Sequence, residues 1–341
     1  MSKSRIRHLS LFIWLVAVCA GHAPVAKATA TCTATAPTAV AFGTVSTTGV
    51  TDVSATFNVT CSTAALALLA NAKVRMCLNI TDGVNGAGNF NPRRMINGFG
   101  DPLQFQLYTD AARSQIWGAR GNGTVPTPLL LDFDYSVPLL GGSQTLPVTI
   151  YGRIPTQTLS AGSFTNPFTG IHTSIEYRYN ETLLGTATYP ASCVSGGSIG
   201  IPSSFPFTAS ATVAPNCRAY TTTDLDFDNV AGSIASNIDR TSAISMTCTN
   251  RTAWQVGLNN GANASGSTRR MRLGATGSYV SYELYNNTGR TIRWGNTLNV
   301  DTVLGTGDGA SHSLTVYGRV PATQTVPAGS YSDIITVTVT Y

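Results

Sequence analysis

Charge is scarce in this 341-residue sequence, where Asp, Glu, Lys and Arg together make up 11%. Past residue 28 lysine almost vanishes, with Lys73 its sole representative, and histidine is reduced to His172 and His312. Two histidines in non-matching surroundings supply neither a His-rich metal centre nor a repeated catalytic base, so catalytic and metal-binding residues are expected to be absent and no cofactor is implied. There is no CxxC pair, which removes the usual thiol-redox and zinc-ribbon signatures. No apolar stretch reaches the roughly 20 residues of a membrane span. A sustained 3.6-residue apolar period is missing as well, while Thr, Ser, Gly and Val abound, which indicates an all-β protein.

What the N-terminus does hold is Lys3, Arg5 and Arg7 ahead of the apolar run LSLFIWLVAVCA, followed by small residues in VAKATA. That order is a secretory signal peptide, assigned to residues 1–28 with cleavage after Ala28 or Ala30. A lipoprotein reading at Cys19 meets Val18, a poor residue in front of a lipidated cysteine. Removing the segment leaves 17 basic against 16 acidic residues, so the sequence pI of 8.9 is no argument for nucleic acid or an anionic membrane. The seven cysteines become six, an even number in an exported chain, which favours disulfides.

The chain repeats itself. IYGRIPTQTLSAGSF at Ile150 matches VYGRVPATQTVPAGSY at Val316, and LQFQLYTDAARSQIWG at Leu103 matches VSYELYNNTGRTIRWG at Val280. Arg93–Met95 recurs at Arg269–Met271, FNVTCS at Phe57 recurs as ISMTCT at Ile244, and Cys32 matches Cys217. Each half is a series of short alternating strands broken by Gly, Asn, Asp and Pro, as in a β-sandwich. The domains expected are 29–190 and 206–341, with a Gly/Ser-rich linker over 191–205. Cysteine order suggests Cys32 with Cys61 and Cys217 with Cys248, which leaves Cys77 and Cys193 for each other. Each short bridge is worth about 3 kcal/mol in the chain-entropy model.

The pattern C…TC…LYTD…WG…VYGR-P…PAGSYSDxxTVTVTY resembles the spore coat protein U domain family. Domain one departs from it, with Ser160–Phe164 reading SAGSF and TNPFTGIH inserted before the last strand. The family includes subunits of archaic, Csu-type chaperone-usher pili, and a two-domain member resembles the adhesin at the pilus tip. The resemblance implies immunoglobulin-like sandwiches that lack a seventh strand, which a neighbouring subunit supplies by donor-strand complementation. It further implies a periplasmic chaperone, an outer-membrane usher and an adjacent pilin as partners, with the product secreted through the periplasm to a pilus tip.

The residues carry that reading further. In YSDIITVTVTY, domain two stops at Tyr341 one strand short, with Ile335, Val337, Val339 and Tyr341 on one face as candidate lining of an acceptor groove. Domain one continues past IEYRY into NETLLGTATYPASC, a candidate for its own closing strand, and the few residues between the cleavage site and Cys32 are too short to donate one. The repeat also shows where domain one has grown. Cys61 to Leu78 spans 17 positions against 10 from Cys248 to Leu258, and Trp117 to Tyr151 spans 34 against 23 from Trp294 to Tyr317. Both excesses are apolar: Leu66, Leu68 and Leu69 in the first, Leu129, Leu130, Leu131, Val137, Leu139 and Leu140 in the second. They are expected as surface-binding loops at the pole away from the linker, suited to an abiotic or host surface and to biofilm formation; the other possibility is that they cover the core or form strands.

Other motifs weigh less. Asp132 with Asp134, and Asp224 with Asp226 and Asp228, alternate as a calcium site can, yet no EF-type loop accompanies them. GARGNG and GTGDG open no helix and read as turns, and Tyr-Gly-Arg, occurring in both halves, reads as structural. A spore-coat or secreted matrix protein is the alternative among structural classes. A secreted carbohydrate-binding protein is the other, with Trp117 and Trp294 as its candidate aromatics.

Overall fold

A computed structural model describes residues 29–341 apart from 36, 38, 47, 48, 65–70, 231 and 232; the signal segment and Leu66, Leu68 and Leu69 lie outside the described residues. The chain is all-β, in two sandwich units. The first comprises β1 (Ala30–Ala34), β2 (Val40–Thr44), β3 (Thr51–Thr63), β4 (Asn71–Ile80), β5 (Arg93–Ile96) and β6 (Pro102–Tyr108). It continues with β7 (Leu129–Ser136), β8 (Gly142–Ile154), β9 (Gly162–Phe168), β10 (Thr173–Thr182), β11 (Ser198–Ile199) and β12 (Phe207–Val213). The second comprises β13 (Cys217–Thr222), β14 (Ile238–Cys248), β15 (Ala253–Leu258), β16 (Arg269–Leu273), β17 (Tyr279–Tyr285), β18 (Val303–Thr306), β19 (Ser311–Val320), β20 (Tyr331–Ser332) and β21 (Val337–Thr340).

Period-2 burial builds each layer. Along β3 the inward residues Phe57, Val59, Cys61 and Thr63 alternate with outward Asn58, Thr60 and Ser62, and β8 lies antiparallel along all of it from Thr51↔Ile154 to Thr63↔Gly142. One sheet of the first unit has the order β1-β3-β8-β6-β5-β9-β12-β2 and the facing sheet β11-β10-β4-β7. In the second unit the corresponding orders are β13-β14-β19-β17-β16-β20 and β18-β15-β21. Each unit encloses its own apolar core. Disulfides join Cys32 to Cys61, Cys77 to Cys193 and Cys217 to Cys248.

The repeated motifs are frame. Trp117 and Trp294 are buried, and each indole N–H donates at 2.8 Å across the sandwich, to the Leu78 and Val256 carbonyls. Arg93 is fully buried, bonded to Gln106 and to the Ile80, Thr81 and Trp117 carbonyls; burial draws its guanidinium down to about 9. Arg269 does the same in the second unit, with Glu283 as a charged partner. Tyr-Gly-Arg is an outer brace: Arg153 forks onto Asp52 at 2.8 Å and Arg319 onto Asp239 at 2.7 and 2.8 Å. The glycine between lets the inner layer approach, since a Cβ at Gly318 would come 2.4 Å from Leu225 Cδ2.

The boundary expected from composition is corrected. Residues 191–205 do not span between units, and 206–213 do not belong to the second. Cys193 is bonded to Cys77, β11 pairs with β10, and Phe205, Phe207, Ala209, Ala211 and Val213 are buried in the first core. The connection falls at Ala214, Pro215 and Asn216, all exposed. Gly/Ser richness near Cys193 read as a linker because composition hides the alternation that starts at Phe205. NETLLGTATYPASC is likewise not the closing strand: its first residues end β10, and Leu183 and Leu184 are exposed.

Candidate binding sites: an open seam and an apolar pole

The segment from Ser198 to Val213 closes the first unit along one seam. It pairs with β10 at Tyr179↔Ser198 and Arg178↔Ile199, bridges Ile175↔Ser203, then crosses to the other sheet. There β12 runs antiparallel to β9, from Phe207↔Phe168 to Val213↔Gly162, and parallel to β2 at Ala209↔Val40. Phe205 stacks on Phe57 at 5.3 Å and Phe207 on Phe168 at 4.6 Å.

At the matching seam of the second unit no strand is seated among the described residues. Leu225 and Phe227, the counterparts of Val40 and Phe42, lie in no strand, and only Tyr331–Ser332 survives of the stretch matching β9. Between them opens a cavity of about 430 Å³, walled by Leu225, Phe227, Tyr331, Asp333 and Ile335 and floored by Ile244, Tyr282 and Leu284. β21 is the edge of its sheet, where β10 has β11.

Of the predicted groove residues, Ile335 and Val337 line this cavity. Val339 lies further along β21, paired with Val256 and packed on the core, and Tyr341 is exposed. The expected single strand is in fact two, because the chain crosses from one sheet to the other between Ser332 and Val337 and only then pairs with β15. Sequence alternation is continuous across such a crossing and does not reveal it. Leu225, Phe227 and Tyr282 were missed; the match of Val40 and Phe42 to Leu225 and Phe227 was the available signal.

The second candidate is a pole of the first unit. Register places two connections there, 137–141 after Ser136 and 183–186 after Thr182, beside the end of β3 at Thr63 and the start of β4 at Asn71, through Thr63↔Gly142, Asn71↔Ser136 and Thr182↔Asn71. Leu139 is 54% exposed, Leu140 87%, Leu183 68% and Leu184 89%. Leu183 and Leu184 were not predicted; adjacent leucines in a polar run before a glycine were the sign. Four of the expected loop residues lie on a sheet or in the core, the other possibility that the sequence leaves open. Leu129, Leu130 and Leu131 open β7 opposite Leu78, Cys77 and Met76, so they sit on a sheet, with Leu129 and Leu131 packed on the core and Leu130 exposed. Val137 is buried outright, because it continues the inward series of Phe133 and Tyr135.

The far end of the 13-residue strand β8, on the order of 40 Å away, faces the second unit. Asn250 bridges Ser160 and accepts the Ala161 N–H at 2.8 Å, and Arg251 forks onto Asp101 over the Phe99 ring. Asn250 and Arg251 lie in the 249–252 connection, the counterpart of 64–70. The stretch of sequence that is apolar in the first unit thus has a counterpart in the second that contacts the neighbouring unit.

The remaining candidates other than Asp224, which lines the cavity, have structural partners. Asp132 forks onto Arg75, Asp134 bonds Lys73 and Asn71, and Asp228 pairs with Arg240. His172 meets Thr81 Oγ1 at 2.7 Å and His312 meets Asp308 at 3.0 Å. With Trp117 and Trp294 buried, neither offers a face to a sugar.

The spore coat protein U domain model matches residues 20–170 and 203–338. This chain belongs to the spore coat protein U domain family. Protein U of Myxococcus xanthus is 37% identical over 123 residues, 34% of this chain and 68% of that protein. Among solved structures, the chaperone–tip subunit pre-assembly complex CsuC–CsuE from archaic chaperone-usher Csu pili of Acinetobacter baumannii aligns at TM-score 0.45 and 19% identity, over 91% of this chain and all of that one. The CupB6 tip adhesin of Pseudomonas aeruginosa aligns at 0.35 and 11%, over 92% and 96%. Neither structural likeness is close enough to carry an argument about this chain. The second family match begins at residue 203, so the closing segment of the first unit is counted as the leading segment of the second.

Proposed function

We propose that this protein is the tip adhesin of an archaic chaperone-usher pilus, secreted through the periplasm, which attaches the cell to surfaces and promotes biofilm formation. The observation that carries this is the pair of seams in one chain. The strand leading the second unit fills the first, and the same seam of the second is open for a strand from an adjacent pilin. A periplasmic chaperone guards the open seam before assembly, since an apolar edge aggregates, and the usher passes the subunit on.

The opposite pole supports the adhesive half of the reading. Where the second unit's 249–252 connection is covered by the first unit, the corresponding pole of the first carries exposed Leu139, Leu140, Leu183 and Leu184. Leucines exposed together on a loop cluster fit an apolar surface, abiotic or host, without a shaped pocket.

The test separates the two halves. Replacing Leu139 and Leu184 with Asp abolishes cell adhesion to polystyrene while leaving surface pili and chaperone co-purification unchanged; unchanged adhesion refutes the apolar contact. A chain that purifies stable without chaperone or added strand refutes the open-seam reading.

A further inference from the structure

Directly opposed residues of an antiparallel pair point to the same side of the sheet. In the filled seam Ala209 of β12 is opposite Asn166 of β9, and both are completely buried. That amide has its polar atoms occupied: Nδ2 donates to the Asp82 and Arg94 carbonyls at 2.8 and 2.9 Å, and Oδ1 accepts the Asn85 N–H at 3.0 Å. A methyl group is therefore enough to cover it.

The matching position of the open seam is Asp333, in Gly329-Ser-Tyr-Ser-Asp against Gly162-Ser-Phe-Thr-Asn. Both side chains lie over a matching glycine: a Cβ at Gly83 would come 2.3 Å from Asn166 Oδ1, and one at Gly261 1.9 Å from Asp333 Oδ2. Phe105 is replaced at the same time by Tyr282, whose hydroxyl donates to Asp333 Oδ2 at 2.7 Å. Oδ1 takes the Asn263 N–H at 3.0 Å and its amide at 3.1 Å. All three donors are neutral. No Lys, Arg or His lines the cavity among the described residues, and its other acid is Asp224. A strand seated as β12 is seated would bury a carboxylate with no cation bonded to it, since the buried Arg269 opposite Tyr282 is paired with Glu283 instead, and that state favours a charge-assisted hydrogen bond from the incoming strand.

We propose that the open seam selects a strand from another polypeptide that presents a hydrogen-bond donor, a hydroxyl or an ammonium, opposite Asp333, where β12 presents the Ala209 methyl. The position acts as a specificity filter: it discriminates against strands of the chain's own closing type and favours a polar-centred one. This rests on the open-seam reading and narrows the partner.

The experiment uses the full mature chain and synthetic peptides copied from Phe205–Val213, with Ala, Ser, Lys or Asp at the position of Ala209. The Ser or Lys peptide is expected to bind about tenfold tighter than the Ala peptide, with Asp weakest. In Asp333→Asn that advantage disappears and the Ala peptide binds as well as the others. An Ala peptide that binds wild type as tightly as both donor peptides overturns the filter, as does a donor preference that persists in Asp333→Asn. If no peptide binds, the seam is not a strand acceptor, and the wider reading falls with the filter.

Discussion

Phe207→Ala isolates the strand on which the two-unit reading depends. Phe207 is 3% exposed, and its ring lies parallel to that of Phe168 with centroids 4.6 Å apart. Deleting a buried phenyl costs about 3–5 kcal/mol through lost transfer energy and the cavity left behind. For a unit of this size each kcal/mol moves the midpoint by roughly 2–4 °C, so the first unit's melting temperature falls by about 10 °C. Calorimetry of the full mature chain gives the midpoints, and fluorescence of variants that keep only Trp117 or only Trp254 and Trp294 tells whether the first or the second unit responds. A shift below about 1 kcal/mol, or a shift confined to the second unit, refutes the assignment of β12 to the first core. Fragments are expected to give the same answer: 29–214 should fold, whereas 29–190, which lacks Cys193, Phe205 and Phe207, should not.

Cys193→Ser opens the loop closed by the Cys77–Cys193 bridge, whose sequence separation is 116, and lowers the first unit's stability by up to about 5 kcal/mol in the chain-entropy model; denaturant unfolding with and without reductant measures it. Acid weakens both units. The bonded Arg153 and nearby Arg113 hold the Asp52 carboxyl below its usual range, as Arg319 and Arg290 hold Asp239. Depressed carboxyls contribute stability that is fully present above the unfolded value near 4 and is lost as pH falls through the folded one, so Asp52→Asn flattens the acid limb of a stability titration below about pH 4 and leaves the neutral plateau lower. Arg269→Met strands Glu283 beside Arg293 alone and costs the second unit more than Arg93→Met costs the first, where only neutral groups lose a partner; paired urea titrations compare the two.

Much of the frame was legible because repetition carries physics. The Cys-strand-Cys spacing, the buried tryptophans and the Tyr-Gly-Arg braces recur at matched positions, and a side chain that must do the same job twice leaves the same letter twice. Strand alternation by itself sets Phe57, Val59 and Cys61 on one face of β3, the face that is buried. What alternation cannot give is which sheet a strand joins. The local pattern is blind to partners distant in sequence, which is why it puts 206–213 with the second unit, and an apolar run such as Leu129 to Leu131 looks alike on a sheet edge and in a finger, which is why it leaves both open. The continuous period from Tyr331 to Val339 concealed a crossing between sheets for the same reason.

The two copies differ most where a strand is or is not supplied. Gln106, Phe105 and Asn166 in the filled unit are neutral, and their counterparts Glu283, Tyr282 and Asp333 are ionisable. In a seam closed within the chain, the occupant is always at hand, at an effective concentration set by a short connection, so weak apolar complementarity suffices. A seam closed by a separate molecule has no such advantage and must distinguish among strands of similar shape. Polar groups serve that purpose better than methyls, because a mismatched apolar contact loses little whereas a buried charge without a partner is strongly disfavoured. Burial raises the Tyr282 phenol, with the Asp333 group it bonds adding to the shift, so the phenol keeps its proton through the neutral range and goes on donating to Asp333 Oδ2.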